Sequence, residues 1–134
     1  MPHKVIIPAR LNSTRLPRKP MMDIYGKTLL QRVVEQAKKS DAESIYVATD
    51  SDEICELCNL IDVNSILTSE KHESGTDRVF EACNKLDLKD DEIVVNVQGD
   101  EPFIDPEDIN NLALFCETKD AEIATLYADL SKKE

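Results

Sequence analysis

Aromatic side chains are scarce in this sequence of 134 residues, which holds three Tyr, three Phe and no Trp. A strand of nucleic acid bound by stacking needs a richer supply. Glycine is scarce too, with three in the chain and none before Gly26. Neither a Walker A loop nor a glycine-rich dinucleotide fingerprint is therefore present. No apolar run approaches the roughly 20 residues that span a bilayer. The stretch Val5-Ile6-Ile7 is too short for a secretory signal and has no small-residue cleavage site after it. The expected location is the cytoplasm, away from membranes. A nucleophile elbow and a zinc-ligand spacing are also missing, so hydrolase, zinc enzyme and dehydrogenase fall away as first readings.

What is present has the balance of an ordinary globular protein: 41% apolar and 32% charged residues, in one domain's length, 1–134. The net charge of −11 argues against a nucleic-acid partner. The charge is unevenly spread. Residues 1–40 hold nine basic and two acidic side chains, a net +7, whereas the rest of the chain carries −18. A basic patch on an acidic protein suits a small polyanion and repels a long one. Four cysteines occur, two of them in Cys55-Glu56-Leu57-Cys58, with no second pair at zinc spacing. Buried, reduced thiols are the expected reading.

Lys4–Pro8 reads as a buried strand, rich in β-branched residues. Ala9–Pro20 is polar and Arg-rich with Pro17 and Pro20, which favours a structured loop. Thr28 is placed to cap a helix carrying Leu29, Leu30, Val33, Val34 and Ala37 at helical spacing, with Gln31 at the capping-box position. A strand over Ser44–Asp50 leads into a helix over Asp52–Ile61, capped by Ser51 or Asp50. Val63–Thr68 is a short strand. A helix from Thr76 to Leu86 follows, with Val79, Phe80, Cys83 and Leu86 on one face. Glu92–Val97 is the most apolar strand and is predicted to be central. Pro106–Cys116 reads as a helix with Pro in its first turn, Glu122–Tyr127 as a last strand, and Ser131–Glu134 as a polar, frayed end. Regular alternation of strand and helix predicts an α/β fold, a mostly parallel sheet with helices on both faces.

Ligands of such sheets sit beyond the carboxyl ends of the strands, where strand order reverses. Four segments fall there: Ala9–Pro20, Thr49-Asp50, Ser69–Arg78 and Gln98–Pro102. The first presents Arg10, Arg15, Arg18 and Lys19 around Asn12, Ser13 and Thr14, a set suited to a di- or triphosphate. A merely solvated basic loop is the alternative, and the position after a buried first strand favours phosphate. Gly99-Asp100-Glu101 ends the most apolar strand, and a carboxylate there suits Mg²⁺ bridging phosphate oxygens. Adjacent residues on extended backbone point apart, so one of Asp100 and Glu101 is the candidate ligand. Ser74-Gly75-Thr76-Asp77-Arg78 offers backbone N–H groups at a helix start to a base edge or phosphate, and equally a Thr76 cap with Asp77 on the helix dipole. His72 has no partner in any recognisable arrangement and is expected at the surface.

Taken together, Ile7–Pro17, Lys19-Pro20, Val47–Asp50, Ser74–Arg78 and Val95–Pro102 resemble the 3-deoxy-manno-octulosonate cytidylyltransferases, the CMP-KDO synthetases of lipopolysaccharide synthesis. The first segment is shared by many sugar nucleotidyltransferases, whereas the Ser-Gly-Thr-Asp-Arg and Asn-Val-Gln-Gly-Asp-Glu-Pro blocks at this separation are much more specific. The resemblance runs from about Val5 to Tyr127. It implies a Rossmann-like nucleotide-diphospho-sugar transferase fold and transfer of CMP from CTP to an eight-carbon acid sugar, releasing pyrophosphate. Arg10, Arg15, Lys19 and Asp100 would be catalytic, with Asp100 the Mg²⁺ ligand. Pro8, Ala9, Ser74, Gly75, Arg78, Gln98 and Gly99 would complete the nucleotide site beside Arg10, Arg15 and Lys19. Arg18 departs from the family, which often has Gly there; the change adds a charge and removes freedom at positive φ. The resemblance covers only the N-terminal half of the family's enzyme. A second acidic metal ligand, most sugar contacts and the dimer surface are expected in the other half, and self-association through the surface it would cover is expected. A sialic-acid type of cytidylyltransferase is disfavoured by the Gln-Gly-Asp-Glu-Pro block, and a non-catalytic nucleotide-binding or assembly module by the retained Arg10, Arg15, Lys19 and Asp100.

Overall fold

A computed structural model describes residues 3–11, 18–72, 75–87, 93–119 and 123–126, with side chains as far as residue 113. Strand β1 (His3–Ala9) lies in the middle of a five-stranded parallel sheet of order β5-β4-β1-β6-β7. Its neighbours are β4 (Ser44–Thr49) on one side and β6 (Ile93–Val97) on the other, with β5 (Asn64–Leu67) and β7 (Ile123–Leu126) at the edges. The centre is thus β1. β6, although all five of its residues are buried, stands one place out.

Alternation along the strands divides the core in two. Val5, Ile7 and Ala9 of β1 and Ile93, Val95 and Val97 of β6 meet the apolar faces of three helices: α1 (Leu29–Lys38), α2 (Asp52–Leu60) and α4 (Pro106–Lys119). On the other face Ile6, Ala48 and Val94 pack with Val79 and Ala82 of α3 (Gly75–Lys85). Helices therefore cover both faces, as expected. Phe80 is the exception: it is half exposed, and its predicted place on the core face goes to the smaller Ala82. α4 shares the face of α1 although the chain now moves toward the opposite edge, so its crossover has the opposite hand to that through α1. The packing is direct. Hydrogen bonds flank it: Gln36 Nε2 on α1 donates to Ile104 O just ahead of α4 at 2.8 Å, and Asn110 on α4 accepts from Asp41 N just beyond α1 at 2.7 Å.

The helix starts follow local chemistry. Thr28 caps α1 through its hydroxyl, which accepts from Gln31 N at 3.1 Å, and Ser51 rather than Asp50 caps α2, accepting from Ile54 N. α3 begins one residue before Thr76, which lies inside the first turn instead of capping it. Two elements have no counterpart in the sequence reading: a single 3₁₀ turn at Lys19–Met21 and a hairpin of β2 (Asp23–Ile24) with β3 (Lys27–Thr28). The hairpin's central residues Tyr25 and Gly26 have φ of 52° and 90°, the pattern of a type I′ turn. Arg32 on α1 fixes this turn by donating to Ile24 O and Tyr25 O at 3.0 and 2.6 Å.

Candidate active site

The chain leaves β1 toward one edge of the sheet and β6 toward the other. Where two such connections diverge, a crevice opens between the strands' carboxyl ends. A cleft of about 150 Å³ lies there, lined by Pro8, Ala9, Arg10, Lys19, Pro20, Gln98, Gly99 and Asp100. β1 supplies the floor and then Arg10. The 3₁₀ turn swings Lys19 back over it, and the end of β6 brings Asp100 opposite. Lys19 Nζ stands 3.4 Å from Asp100 Oδ2, with both side chains about half exposed.

Gly99 makes the closeness possible. A Cβ built on it would lie 2.7 Å from Pro8 O, so the two strand ends approach as near as they do because no side chain intervenes. Gly75, the first residue of α3, lies against Pro8 and the Gln98 amide, which brings that helix start to the back of the cleft. Seven of the expected site residues thus line the cleft, with Gly75 beside it: Pro8, Ala9, Arg10, Lys19, Gln98, Gly99 and Asp100. Arg15 and Ser74 lie outside the described residues.

Arg78, expected around the nucleotide, does not line the cleft. Its side chain is 2% exposed and donates from Nη1 to Thr68 Oγ1 and to Ser69 O at 3.1 Å, while Nη2 sits 3.6 Å from Asp50 Oδ2. Burial lowers its pKa, Asp50 opposes that shift, and nearby Arg10 adds to it. Nη1 finds its acceptors at the end of β5 and Nη2, which makes no hydrogen bond, is offset by the Asp50 charge at the end of β4, so the side chain links the two strand ends. His72, expected at the surface, is half-buried, with Nε2 2.6 Å from Glu81 Oε1. Glu81 also accepts from Ser69 N at 3.0 Å and pairs with Lys85 at 3.3 Å. Its carboxyl is held down to about 2, first by the Ser69 backbone bond and then by His72.

Arg18 adds no free charge to the basic loop, because Glu53 on α2 accepts both prongs of its guanidinium. Of the cysteines, Cys55, Cys58 and Cys83 are free. Burial pushes the Cys58 thiol up to about 12 and that of Cys83 upward, as inert thiols require. Among the described residues no group of three or more His, Cys, Asp or Glu is gathered for a metal, and no helix is long and apolar enough to cross a membrane. A single carboxylate in a cleft with cations fits Mg²⁺ of the kind held by one carboxylate together with substrate phosphates.

Fold and cleft together define a Rossmann-like domain of the nucleotide-diphospho-sugar transferase architecture. Residues 4–134 match the cytidylyltransferase family, and the chain belongs to it. It is 51% identical over 131 residues to a 3-deoxy-manno-octulosonate cytidylyltransferase of Francisella philomiragia, covering 97% of this chain and 52% of that one. To 3-deoxy-manno-octulosonate cytidylyltransferase 2 of Actinobacillus pleuropneumoniae it is 45% identical over 134 residues, all of this chain and 53% of the relative. The structure superposes on a CMP:2-keto-3-deoxy-manno-octonic acid synthetase complexed with CTP, with a TM-score of 0.82 and 38% identity over 90% of this chain and 49% of that one. The chain thus spans about half the length of the curated relatives it matches.

Proposed function

We propose that residues 1–134 form the nucleotide-binding domain of an enzyme that moves CMP from CTP to 3-deoxy-manno-octulosonate, releasing pyrophosphate, for lipopolysaccharide synthesis. The observation that carries this reading is the cleft between β1 and β6, where Lys19 and Asp100 face each other 3.4 Å apart beside Arg10. The names of the relatives and the CTP complex of the structural neighbour supply the nucleotide and the acid sugar.

The chemistry suits these residues. In-line attack of a sugar hydroxyl on the α-phosphorus expels pyrophosphate and needs positioning and charge neutralisation rather than a protein nucleophile. Arg10, Arg15 and Lys19 hold the triphosphate and stabilise charge on its oxygens. Gly99 lets the strand ends close around the nucleotide, Pro8, Ala9, Gly75 and Gln98 shape the surface beneath it, and Ser74 is assigned a nucleotide contact. Arg78 braces the loop behind. Asp100 would hold Mg²⁺, which neutralises phosphate charge when bound. Residues for the sugar and a second acidic ligand belong to the other half of such a protein, as does the dimer surface.

Calorimetric titration of CTP with and without Mg²⁺, with ATP as control, tests the reading. Mg²⁺-assisted binding that prefers CTP is expected, and Asp100→Asn should abolish the Mg²⁺ assistance. Equal binding of ATP, or an Asp100→Asn chain that responds to Mg²⁺ like the parent, would overturn it. Light scattering over a wide concentration range tests self-association, and a monomer throughout would remove that part.

A further inference from the structure

Arg18 has φ 63° and ψ 24°, a left-handed backbone that an L side chain rarely adopts. Three contacts converge on it. Its N–H donates to Leu11 O at 2.6 Å, closing the neck of the basic loop. Its C=O accepts from Met21 N at 3.0 Å, opening the 3₁₀ turn whose first residue is Lys19. Its guanidinium makes a two-pronged pair with Glu53, from Nη1 to Oε1 at 3.0 Å and from Nη2 to Oε2. Glu53 lies in the first turn of α2 and does not line the cleft. A planar fork on a carboxylate fixes direction as well as distance, which a single point charge does not.

We propose that Arg18 and Glu53 are positioning residues: their pair clasps the neck of the basic loop to α2 and holds the turn that presents Lys19 to the cleft. The neck hydrogen bond, the unfavourable backbone and the side-chain anchor occur at one residue, so releasing the anchor frees the backbone that orients Lys19. The clasp lies outside the cleft and acts on phosphate binding through the loop. This inference rests on the nucleotide reading of the cleft.

Two measurements on the 134-residue chain test it: amide hydrogen exchange read residue by residue, and CTP affinity with Mg²⁺. Glu53→Gln should speed exchange of the Arg18 N–H about two- to fivefold, the range of an exposed ion pair, while the core amides of Ile6 and Val95 keep their rates. CTP affinity should fall by a similar factor. Exchanging the partners, Arg18→Glu with Glu53→Arg, should restore slow exchange at position 18. Unchanged exchange at Arg18 in Glu53→Gln would overturn the clasp, as would equal acceleration at Ile6 and Val95, which marks global loosening. Faster exchange with unaltered CTP affinity would overturn the positioning role. A parent chain that binds no CTP would sink the nucleotide reading, and the exchange data would still decide whether the clasp exists.

Discussion

The carboxyl edge of the sheet has two charged regions built on different terms. On the β1–β6 side, Lys19 and Asp100 face each other at 3.4 Å across a cleft, each about half exposed. On the β4–β5 side, Arg78 is 2% exposed and engaged with Thr68, Ser69 and Asp50, while Glu81 gathers Ser69, His72 and Lys85. Topology separates them. Connections diverge at β1 and β6, leaving Lys19 and Asp100 in contact with solvent. Between β4 and β5 the chain advances in one direction, and the charged side chains of α3 there are taken up by Asp50, Thr68, Ser69 and His72 at the strand ends. On the proposed reading one region binds and the other holds.

The comparison breaks first at Arg78. Arg78→Met leaves the Thr68 hydroxyl and the Ser69 carbonyl without their donor and the Asp50 carboxylate without its ion-pair partner. A loss of about 3 kcal/mol of stability in urea unfolding is expected. A loss below about 0.5 kcal/mol, with CTP affinity falling instead, would move Arg78 into the binding region. Gly99→Ala follows, because its Cβ would meet the Pro8 carbonyl oxygen at 2.7 Å and backbone must shift. About 2 kcal/mol of destabilisation is expected from a thermal melt. Unaltered melting would mean the strand ends part easily.

Arg78 also marks how far sequence alone reaches. Alternation of strand and helix gives the sheet, its parallel sense and the four loops, because apolar periodicity is a local property. It also supplies the convergence of Arg10, Lys19, Gln98 and Asp100, since loops at carboxyl ends share one edge by construction. Which of those loops faces solvent depends on strand order, a non-local fact. Arg78 therefore carries the same polar signature as Lys19 in sequence and a different fate in the fold. Phe80 fails likewise: at helical spacing it reads as core, yet the smaller Ala82 and the long Arg78 fill the space under α3. The hairpin at Asp23–Thr28 escapes because Tyr25, with φ 52°, is not a residue that advertises a type I′ turn, although Gly26 is. The Arg18–Glu53 pair spans 35 residues, and no spacing rule connects its partners.

On the binding side, Lys19→Met should cost about tenfold in CTP affinity, roughly 1.4 kcal/mol, as loss of one charge-assisted contact to phosphate predicts. Its unfolding midpoint should barely move, since the ammonium is half exposed and paired only at 3.4 Å. A large stability loss would make Lys19 a holding residue and erase the contrast with Arg78.

The smallest effect sharpens the contrast through pH. In the fold the Glu81 carboxyl is held down to about 2 by the Ser69 backbone N–H first and His72 next, against an ordinary value of 4.5. A group whose folded pKa is depressed stabilises in full above its unfolded pKa and loses that contribution as pH falls through the folded one. Glu81 should therefore help the fold at pH 7 and progressively less between about pH 4.5 and 2. Glu81→Gln should be about 0.5 kcal/mol less stable than the parent at pH 7, as for other partly exposed pairs, and the two urea curves should converge near pH 2. CTP affinity at pH 7 should be unaltered, because Glu81 orders the loop at Ser69–His72 and not the cleft. Curves that stay parallel at every pH would mean the carboxylate's charge is irrelevant to the holding region. Weaker CTP binding in Glu81→Gln would mean the two regions are coupled through α3, whose first residue leaves no room for a side chain beside Pro8.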